Sequence, residues 1–481
     1  RFNVKAEKNK MKIEQIYTGC LAQGAYYIHS AGEAIIIDPL REVQPYLNRL
    51  EKDGVVLKYI FETHFHADFV SGHLDLSKKT GAPIVFGPTA SASFDCIVAE
   101  DNQIFEVGNV KIKVLHTPGH TMESACYLLL DEAGLPHSLF SGDTLFLGDV
   151  GRPDLAQKAA HLTQEQLAGL LYDSLMNKIM PLPNEVMVYP AHGAGSACGK
   201  NMMKETMDSL GHQKEMNYAL NQPSKEAFID AVLDGLLPPP AYFPMNVSMN
   251  KTGYESVDVV VDHGMRALSV EEFEVAAETL DAVILDTRSP GEFAKGFVPR
   301  SINIGIDGQF APWVGSVIGD VKTPILLITA PGREEETVTR LTRVGFDHLL
   351  GHLKGGFDTW KSAQKEVDAV NRISPQTFEE EWSKDTYVVD VRKETEYAAE
   401  HVDEAYNKPL DSINNWFMEM DDSKPFYLHC AGGYRSMIAA SILKSRGVHN
   451  FKEVDGGFAA IAKTQLPKTD FVCQSKLQKL S

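Results

Sequence analysis

The sequence predicts a multidomain α/β protein. Its 481 residues exceed what one hydrophobic core usually organises, so about three domains are expected. The first half reads as short apolar strands separated by turns and helical stretches. The second half repeats one pattern of buried strands and helices, which is typical of parallel α/β sheets. We therefore predict a large first domain, residues 11–250, and two related smaller domains, residues 266–365 and 372–470.

Composition and charge exclude several kinds of partner. With 43% apolar and 23% charged residues, the chain resembles an ordinary globular protein. Its formal net charge of −19 argues against nucleic acid or an anionic membrane as partner, because both need clustered Lys and Arg. No apolar run approaches the roughly 18 residues of a membrane span. The cysteines are few and irregularly spaced, which favours reduced thiols and a cytoplasmic location. They are Cys20, Cys96, Cys126, Cys198, Cys430 and Cys473.

Several elements of the first domain are predicted directly. Residues 1–10 are basic, precede Met11 and lack a signal-peptide apolar core, so they are left out of the fold prediction. Glu33–Asp38 and Val110–Leu115 read as strands, and residues 42–52 and 163–179 as amphipathic helices. The proline-rich segment Pro238–Pro244 predicts an extended arm rather than a helix.

The second half contains an internal repeat with a period near 100 residues. Three pairs of segments correspond: Val283–Phe293 with Val388–Tyr397, Pro324–Ala330 with Pro425–Cys430, and Lys354–Phe357 with Asp455–Phe458. The buried strands in each copy predict parallel sheets.

Four turns of the first domain carry His or Asp directly after a strand-like run. The first is Thr63-His64-Phe65-His66-Ala67-Asp68-Phe69, which follows the apolar run Val55–Phe61. The others are His116-Thr-Pro-Gly-His120, Ser141-Gly-Asp143 and Pro190-Ala-His192. Isolated histidines are usually ordinary surface or core residues. Four such turns in one domain predict a metal site.

These motifs resemble the metallo-β-lactamase superfamily, which implies an αββα sandwich. In its two-metal hydrolases, such as glyoxalase II, the first metal would take His64, His66 and His120. The second would take Asp68, a histidine at position 69 and His192, with Asp143 bridging. Here position 69 is Phe69, and a phenyl ring cannot bind a metal. The resemblance therefore points to one metal, although Phe69 filling a gap in a di-zinc site remains the alternative.

The one-metal pattern resembles the persulfide dioxygenases of that superfamily. This implies one Fe(II) per chain, held by His64, His120 and Asp143, with zinc as a substitute in preparation. Two histidines and one carboxylate form the facial triad of non-haem iron oxygenases, which leaves positions for substrate and O2. His66, Asp68 and His192 would then orient ligands and bound water.

Two further residues are candidate substrate contacts. Gly148–Leu155 resembles a segment of the dioxygenase branch, and its Arg152 would bind a carboxylate of a thiol cofactor. A salt bridge from Arg152 to Asp154 or Asp149 is the alternative. Cys198 follows His192 and is either a second thiol near the metal or a plain buried cysteine.

The last copy of the repeat contains Cys430-Ala-Gly-Gly-Tyr-Arg435-Ser436, followed by an Ala-rich helix. A cysteine in such a loop faces backbone N–H groups and a helix N-terminus, a setting that activates thiols. The C-x4-R loop resembles the rhodanese family, so Cys430 would carry sulfur as a persulfide and Arg435 would hold the anion. The loop is one residue shorter than that of cysteine phosphatases.

The first copy of the repeat has Ala330 at the position of Cys430, and its loop continues into acidic residues. Without a nucleophile, and with carboxylates that repel an anion, this copy is predicted to be a degenerate rhodanese domain. It would serve as a spacer or docking surface.

Together the resemblances imply a bifunctional enzyme of sulfide oxidation or detoxification. A thiol persulfide and O2 would give sulfite and thiol, and a sulfurtransferase would form or use thiosulfate. The carrier thiol (glutathione, coenzyme A or bacillithiol) is not specified, and a homodimer or homotetramer is expected. The alternatives are a glyoxalase-II-like thioester hydrolase with a rhodanese tail, and a non-catalytic sulfur-relay scaffold.

Overall fold

The computed structural model describes residues 11–420 and 423–472. The leading segment 1–10 and Cys473 lie outside the described residues. The chain divides into two compact units. The first runs to Val257 and includes Thr342–Gly345, and the second holds Asp258–Leu341 and the chain from Phe346 onward.

The first unit contains two six-stranded mixed sheets. The first sheet has the order β1-β2-β3-β4-β5-β6, with strands β1 (Lys12–Thr18), β2 (Gln23–Ser30), β3 (Glu33–Ile37), β4 (Val56–Phe61), β5 (Ile84–Phe86) and β6 (Ile97–Val98). The second has the order β12-β11-β10-β9-β8-β7, with strands β7 (Ile104–Val107), β8 (Val110–His116), β9 (Ala125–Leu130), β10 (Pro136–Gly142), β11 (Met187–Pro190) and β12 (Asp208–Ser209).

Helices cover the outer faces of both sheets. They are α1 (Gln44–Asp53), α2 (His73–Thr80), α3 (Gln157–Ala160), α4 (Gln164–Ser174, continued by a π-helical turn at Leu175–Ile179), α5 (Leu210–Met216), α6 (Lys225–Leu233) and α7 (Phe243–Thr252). Helix α8 (Val257–Gly264) begins at the boundary between the units.

The alternation of side chains along the central strands explains the layering. In β3, Ile35 and Ile37 pack into a core shared with the second sheet, whereas Ala34 and Ile36 pack towards α1 and α2. A third apolar cluster joins the outer face of the second sheet to α4 and α6. Because both faces of β3 are buried from Ala34 to Ile37, those four residues are all apolar. The result is the predicted αββα sandwich.

The proline-rich arm differs from its prediction at its end. Phe243 and Pro244 form the first turn of α7 instead of continuing an extended segment. Proline is tolerated there because the first backbone N–H groups of a helix have no partner within it. The expectation that the whole segment is non-helical was therefore wrong at its last two residues.

The second unit contains two five-stranded parallel sheets of the same strand order. The first is β13-β17-β16-β14-β15, with strands β13 (Ala267–Leu268), β14 (Val283–Asp286), β15 (Ile302–Asn303), β16 (Ile325–Ile328) and β17 (Leu349–Leu353). The second is β18-β22-β21-β19-β20, with strands β18 (Arg372–Ile373), β19 (Tyr387–Asp390), β20 (Tyr406–Asn407), β21 (Phe426–His429) and β22 (Phe451–Val454). The internal repeat is thus a repeat of one α/β topology.

Helices alternate with these strands in both copies. The first copy has α9 (Val270–Thr279), α10 (Pro290–Lys295), α11 (Phe310–Ile318), α12 (Glu334–Arg343) and α13 (Gly356–Ser362). The second has α14 (Pro375–Glu381), α15 (Glu394–Ala399), α16 (Ile413–Trp416), α17 (Tyr434–Ser445) and α18 (Gly457–Ile461), with 3-10 turns at Leu410–Ser412 and Phe417–Glu419. Among the described residues, no helix is both long and apolar enough to cross a membrane.

Candidate metal centre and cysteine loop

The three predicted metal ligands and the predicted outer residue His192 follow the ends of four strands. His64 follows β4, His120 follows β8, Asp143 follows β10 and His192 follows β11. The turn after β4 is held by the buried Asn250 of α7, whose amide donates to the carbonyls of His66 and Phe69 at 2.8 Å each. Nothing in the sequence marked Asn250, because this contact joins residues about 180 positions apart.

The structure brings His64, His120 and Asp143 together as one group. All three are buried, and one ligand atom from each lies within 4.8 Å of the others. Nε2 of His120 is 3.4 Å and Nε2 of His64 is 3.8 Å from Oδ2 of Asp143. That oxygen has no hydrogen-bond partner although it is buried. A buried carboxylate oxygen without a partner is costly, so this arrangement fits a cation.

The surroundings of the His120 and His64 rings favour metal binding. Nδ1 of His120 lies 2.8 Å from the carbonyl oxygen of Arg152, which only accepts, so Nδ1 carries the proton. Nε2 is then free to donate its lone pair. The pKa of His64 is held well below its usual value, mainly by burial and secondly by the neighbouring His66, so that ring is neutral. A histidine binds a metal as the neutral imidazole, with its other ring nitrogen donating a hydrogen bond.

His192 links Asp143 to a second group. Its Nδ1 lies 2.8 Å from Oδ1 of Asp143, and its Nε2 lies 2.7 Å from Oδ2 of Asp68. Burial opposes its charge, but Asp143 and Asp68 raise the pKa of His192 well above its usual value. Burial also opposes the charge of Asp143, yet His192 holds the pKa of that carboxyl far below its usual value. The predicted outer residues Asp68 and His192 therefore lie beside the first group.

Cys198 completes the second group. Ligand atoms of Asp68, His192 and Cys198 lie within 4.8 Å of one another, and all three residues are buried. Burial raises the pKa of the Cys198 thiol well above its usual value. The ring of Phe69, fully buried, lies 6.4 Å from the His192 ring. This group places a carboxylate, an imidazole and a thiol close together, whereas the turn after β4 has Phe69 where a two-metal site would have a histidine.

His66 belongs to a third group with two acids that the sequence analysis did not single out. Its Nε2 is 3.0 Å from Oδ1 of Asp38 and 3.6 Å from Oε2 of Glu62. Burial raises the pKa of Glu62 well above its usual value. Asp38 follows β3 and Glu62 follows β4, so an acid directly after a buried strand was the available signal.

Arg152 forms the salt bridge that was the alternative to substrate binding. Its guanidinium binds both oxygens of Asp154, at 2.7 and 2.8 Å, and donates to the carbonyls of Ala197 and Leu237. It is only 5% exposed. Its backbone carbonyl, rather than its side chain, reaches His120. A role in binding substrate stays a prediction.

Cys430 lies in the loop between β21 and α17. The Gly433 N–H donates to its sulfur at 3.1 Å, and Gly433 has φ +98°, a conformation that side chains disfavour. The thiol is 1% exposed and lines a cavity of about 490 Å³. Arg435 binds both oxygens of Glu396, at 2.6 and 2.8 Å, so its role as an anion clamp stays a prediction.

The corresponding loop of the first copy is built differently. Glu334, Glu335 and Glu336 fill the first turn of α12. Arg333 binds Glu336 and Asp307 at 2.8 and 2.7 Å. Ala330 offers no nucleophile, and the arginine of its loop is paired with two acids.

Comparison with known proteins agrees with this architecture. The sequence matches the metallo-beta-lactamase superfamily over residues 18–192 and the rhodanese-like domain over residues 269–363 and 374–464. A crystal structure of a metallo-beta-lactamase from Staphylococcus aureus subsp. aureus COL is similar at 31% identity with a TM-score of 0.63, covering 72% of this chain and 99% of that one.

Curated relatives match part of the chain and differ in activity. The human mitochondrial persulfide dioxygenase ETHE1 is 34% identical over 163 residues, which is 33% of this chain and 59% of the relative. A hydroxyacylglutathione hydrolase of Pelagibacter ubique is 35% identical over 161 residues, 33% of this chain and 61% of the relative. The chain thus spans about three fifths of the length of these relatives.

Proposed function

Because the chain belongs to the metallo-β-lactamase superfamily and carries two rhodanese-like domains, we propose that it is a bifunctional enzyme of sulfide oxidation. Its first domain is a persulfide dioxygenase, which converts a thiol persulfide, O2 and water into the thiol, sulfite and two protons. Its last domain is a sulfurtransferase centred on Cys430. The observation that supports this most is the group of His64, His120 and Asp143, one buried site with two imidazoles and one carboxylate.

This group has the ligand set of non-haem iron oxygenases. Fe(II) held by it would supply the binding of the persulfide sulfur and the activation of O2. The chain itself contributes neutral imidazoles, fixed by the hydrogen bonds behind them. All three ligands are buried away from bulk water, and the Asp143 carboxylate keeps its charge because His192 holds its pKa low.

The sulfurtransferase domain consumes sulfite, the product of the dioxygenase domain. A Cys430 persulfide gives its outer sulfur to sulfite, which forms thiosulfate and returns the Cys430 thiolate. The reverse reaction charges Cys430 from thiosulfate. Carrying both sites on one chain raises the effective concentration of sulfite near Cys430.

The proposed setting is the cytoplasm, with a low-molecular-weight thiol persulfide, O2, and sulfite or thiosulfate as the reacting partners. It is supported by the cysteine pattern of the sequence. The six cysteines are few and irregularly spaced, which is typical of proteins of a reducing compartment. A homodimer or homotetramer remains part of the proposal.

Oxygen uptake on persulfides tests the dioxygenase. The full chain is loaded anaerobically with Fe(II), because zinc outcompetes iron for many such sites. We expect uptake of one O2 for each molecule of sulfite or thiosulfate formed, with at least one of glutathione, coenzyme A and bacillithiol persulfides, because Cys430 converts part of the sulfite into thiosulfate. Zinc-loaded protein and Asp143→Asn are the controls and should be inactive. No uptake by iron-loaded protein with any persulfide would favour a sulfur-relay scaffold.

A second candidate function is hydrolysis of a thiol ester. The group of Asp68, His192 and Cys198 supports it, because a second metal there would complete a two-metal site. Metal analysis distinguishes the two functions. Two zinc ions per chain, falling to one in Cys198→Ser, together with S-lactoylglutathione hydrolysis, would support the hydrolase. One metal per chain in both proteins would exclude it.

A further inference from the structure

The cavity at Cys430 is formed by both rhodanese copies. Most of its lining residues belong to the second copy, including Cys430, Lys393 and Tyr434. Gln309 and Trp313 of the first copy also line it. The copy that lacks a nucleophile thus supplies a wall of the cavity that contains one.

Contacts on both sides of α11 hold this wall in place. The Tyr434 hydroxyl donates to the carbonyl of Gly305 at 2.6 Å, just before the helix. A side chain at Gly308 would lie 2.3 Å from the Tyr434 ring, so only glycine fits there. Near the end of the helix, the Asn414 amide donates to the carbonyl of Val317 at 3.1 Å. The wall is therefore a fixed part of the cavity.

Gln309 and Trp313 lie on the same face of α11. Gln309 is the N-cap and Trp313 lies four residues later, a spacing that places both on the same side of a helix. Phe310 and Val314 on the other side are buried in the first copy. Trp313 remains partly exposed and faces the cavity instead of the core.

The size and chemistry of the cavity suit an organic ligand. A volume of about 490 Å³ lies in the range of sites for small organic molecules and exceeds what an inorganic oxyanion needs. Trp313 offers an apolar face, Gln309 an amide, and Lys393 an exposed ammonium. Arg435 is already paired with Glu396, which leaves Lys393 as a cation for a carboxylate.

We propose that Gln309 and Trp313 of the first copy determine the donor specificity of Cys430, by contacting the organic part of a carboxylate-bearing thiol persulfide. This proposal rests on the sulfurtransferase half of the proposed function. The Cys430 thiolate attacks the outer sulfur of the persulfide, whose S–S bond breaks. The bonding pair leaves with the carrier as its thiolate, which takes up the proton of the persulfide, and Cys430 is left as a persulfide.

Two sulfur donors, one organic and one inorganic, distinguish an effect on donor specificity from a general effect on catalysis. The full-length protein is assayed under nitrogen, so that the metal domain does not consume substrate. Glutathione persulfide with sulfite as acceptor probes the organic donor, and thiosulfate with cyanide probes the inorganic donor. We expect Trp313→Ala to raise KM for glutathione persulfide about five- to twentyfold, the size of a lost aromatic contact. Its kcat, and KM for thiosulfate, should stay within about twofold.

Three further variants complete the test. Gln309→Ala should shift the same KM in the same direction, and Trp313→Phe should restore most of it. Val275→Ala removes an exposed apolar side chain of the first copy outside the cavity and should change neither KM. Equal changes for both donors, or none, in Trp313→Ala would overturn the proposal. Failure of the wild type to use either donor would overturn the sulfurtransferase itself.

Discussion

The hydroxyl of Thr63 lies 3.0 Å from Nδ1 of its neighbour His64. The same hydroxyl donates to Oδ2 of Asp38 at 2.8 Å. Since its one proton goes to the carboxylate, it accepts from Nδ1–H of His64. Nε2 of His64 is therefore the unprotonated nitrogen, and it faces Asp143. Asp38 thus sets the tautomer of a candidate metal ligand through Thr63.

Thr63→Val removes this connection and keeps the side-chain volume. We expect metal affinity to fall about tenfold or more, as when other outer hydrogen bonds to ligating histidines are removed. Titration of the metal-free protein with Fe(II) under nitrogen measures it. Thr89→Val, an exposed threonine outside the three groups, is the control. Equal affinity in Thr63→Val and the wild type would show that His64 needs no such orientation.

Replacing Cys430 separates the two proposed activities. Cys430→Ser should abolish thiosulfate formation and leave sulfite formation intact, because the metal group contains no atom of the cysteine loop. Sulfite and thiosulfate are quantified after single additions of persulfide and O2. Cys96→Ser, which lies in neither candidate site, should retain both activities. Loss of sulfite as well would contradict the division of labour.

The sequence predicted that His64, His120 and Asp143 lie close together, but it did not predict all of the residues around them. His64, His120 and Asp143 each follow a strand, and strand ends at one edge of a sandwich converge, so their meeting could be anticipated. The placement of His66 between Asp38 and Glu62 could not, because it depends on side-chain direction within one short turn.

The cysteine loop shows the same limit. Its helix and glycines were visible in the sequence. The pairing of Arg435 with Glu396 joins residues 39 positions apart, and the wall from Trp313 comes from another copy of the repeat. Both depend on how elements pack, which local patterns do not encode.

A cysteine alone should not reactivate the first copy. Ala330→Cys in the Cys430→Ser background places a thiol in a loop with three first-turn glutamates, which repel an incoming anion. We expect no thiosulfate formation above the Cys430→Ser background. Replacing residues 330–336 by the sequence of residues 430–436 is the comparison, because it also removes the glutamates. Substantial activity from Ala330→Cys alone would show that the acidic loop is no barrier.

His73 should make the first unit sensitive to acid. It packs among Phe86, Phe94 and Tyr254, and burial lowers its pKa from 6.5 to about 3. The folded state therefore favours the neutral ring. The stability that this provides is complete above pH 6.5 and is lost as the pH falls towards 3, because the unfolded chain binds the proton first.

His73→Phe keeps an aromatic ring and removes the titration. Between pH 7 and pH 5 the free energy of unfolding should fall by about 2 kcal/mol more in the wild type than in the variant. The reason is that pH 5 lies about 1.5 units below the pKa of His73 in the unfolded chain, and each unit is worth about 1.4 kcal/mol. Calorimetric unfolding of metal-free protein at both pH values measures the difference. His137→Phe, at an exposed histidine of the same unit, should follow the wild type. Parallel loss in His73→Phe and the wild type would mean that the neutral state of His73 does not limit acid stability.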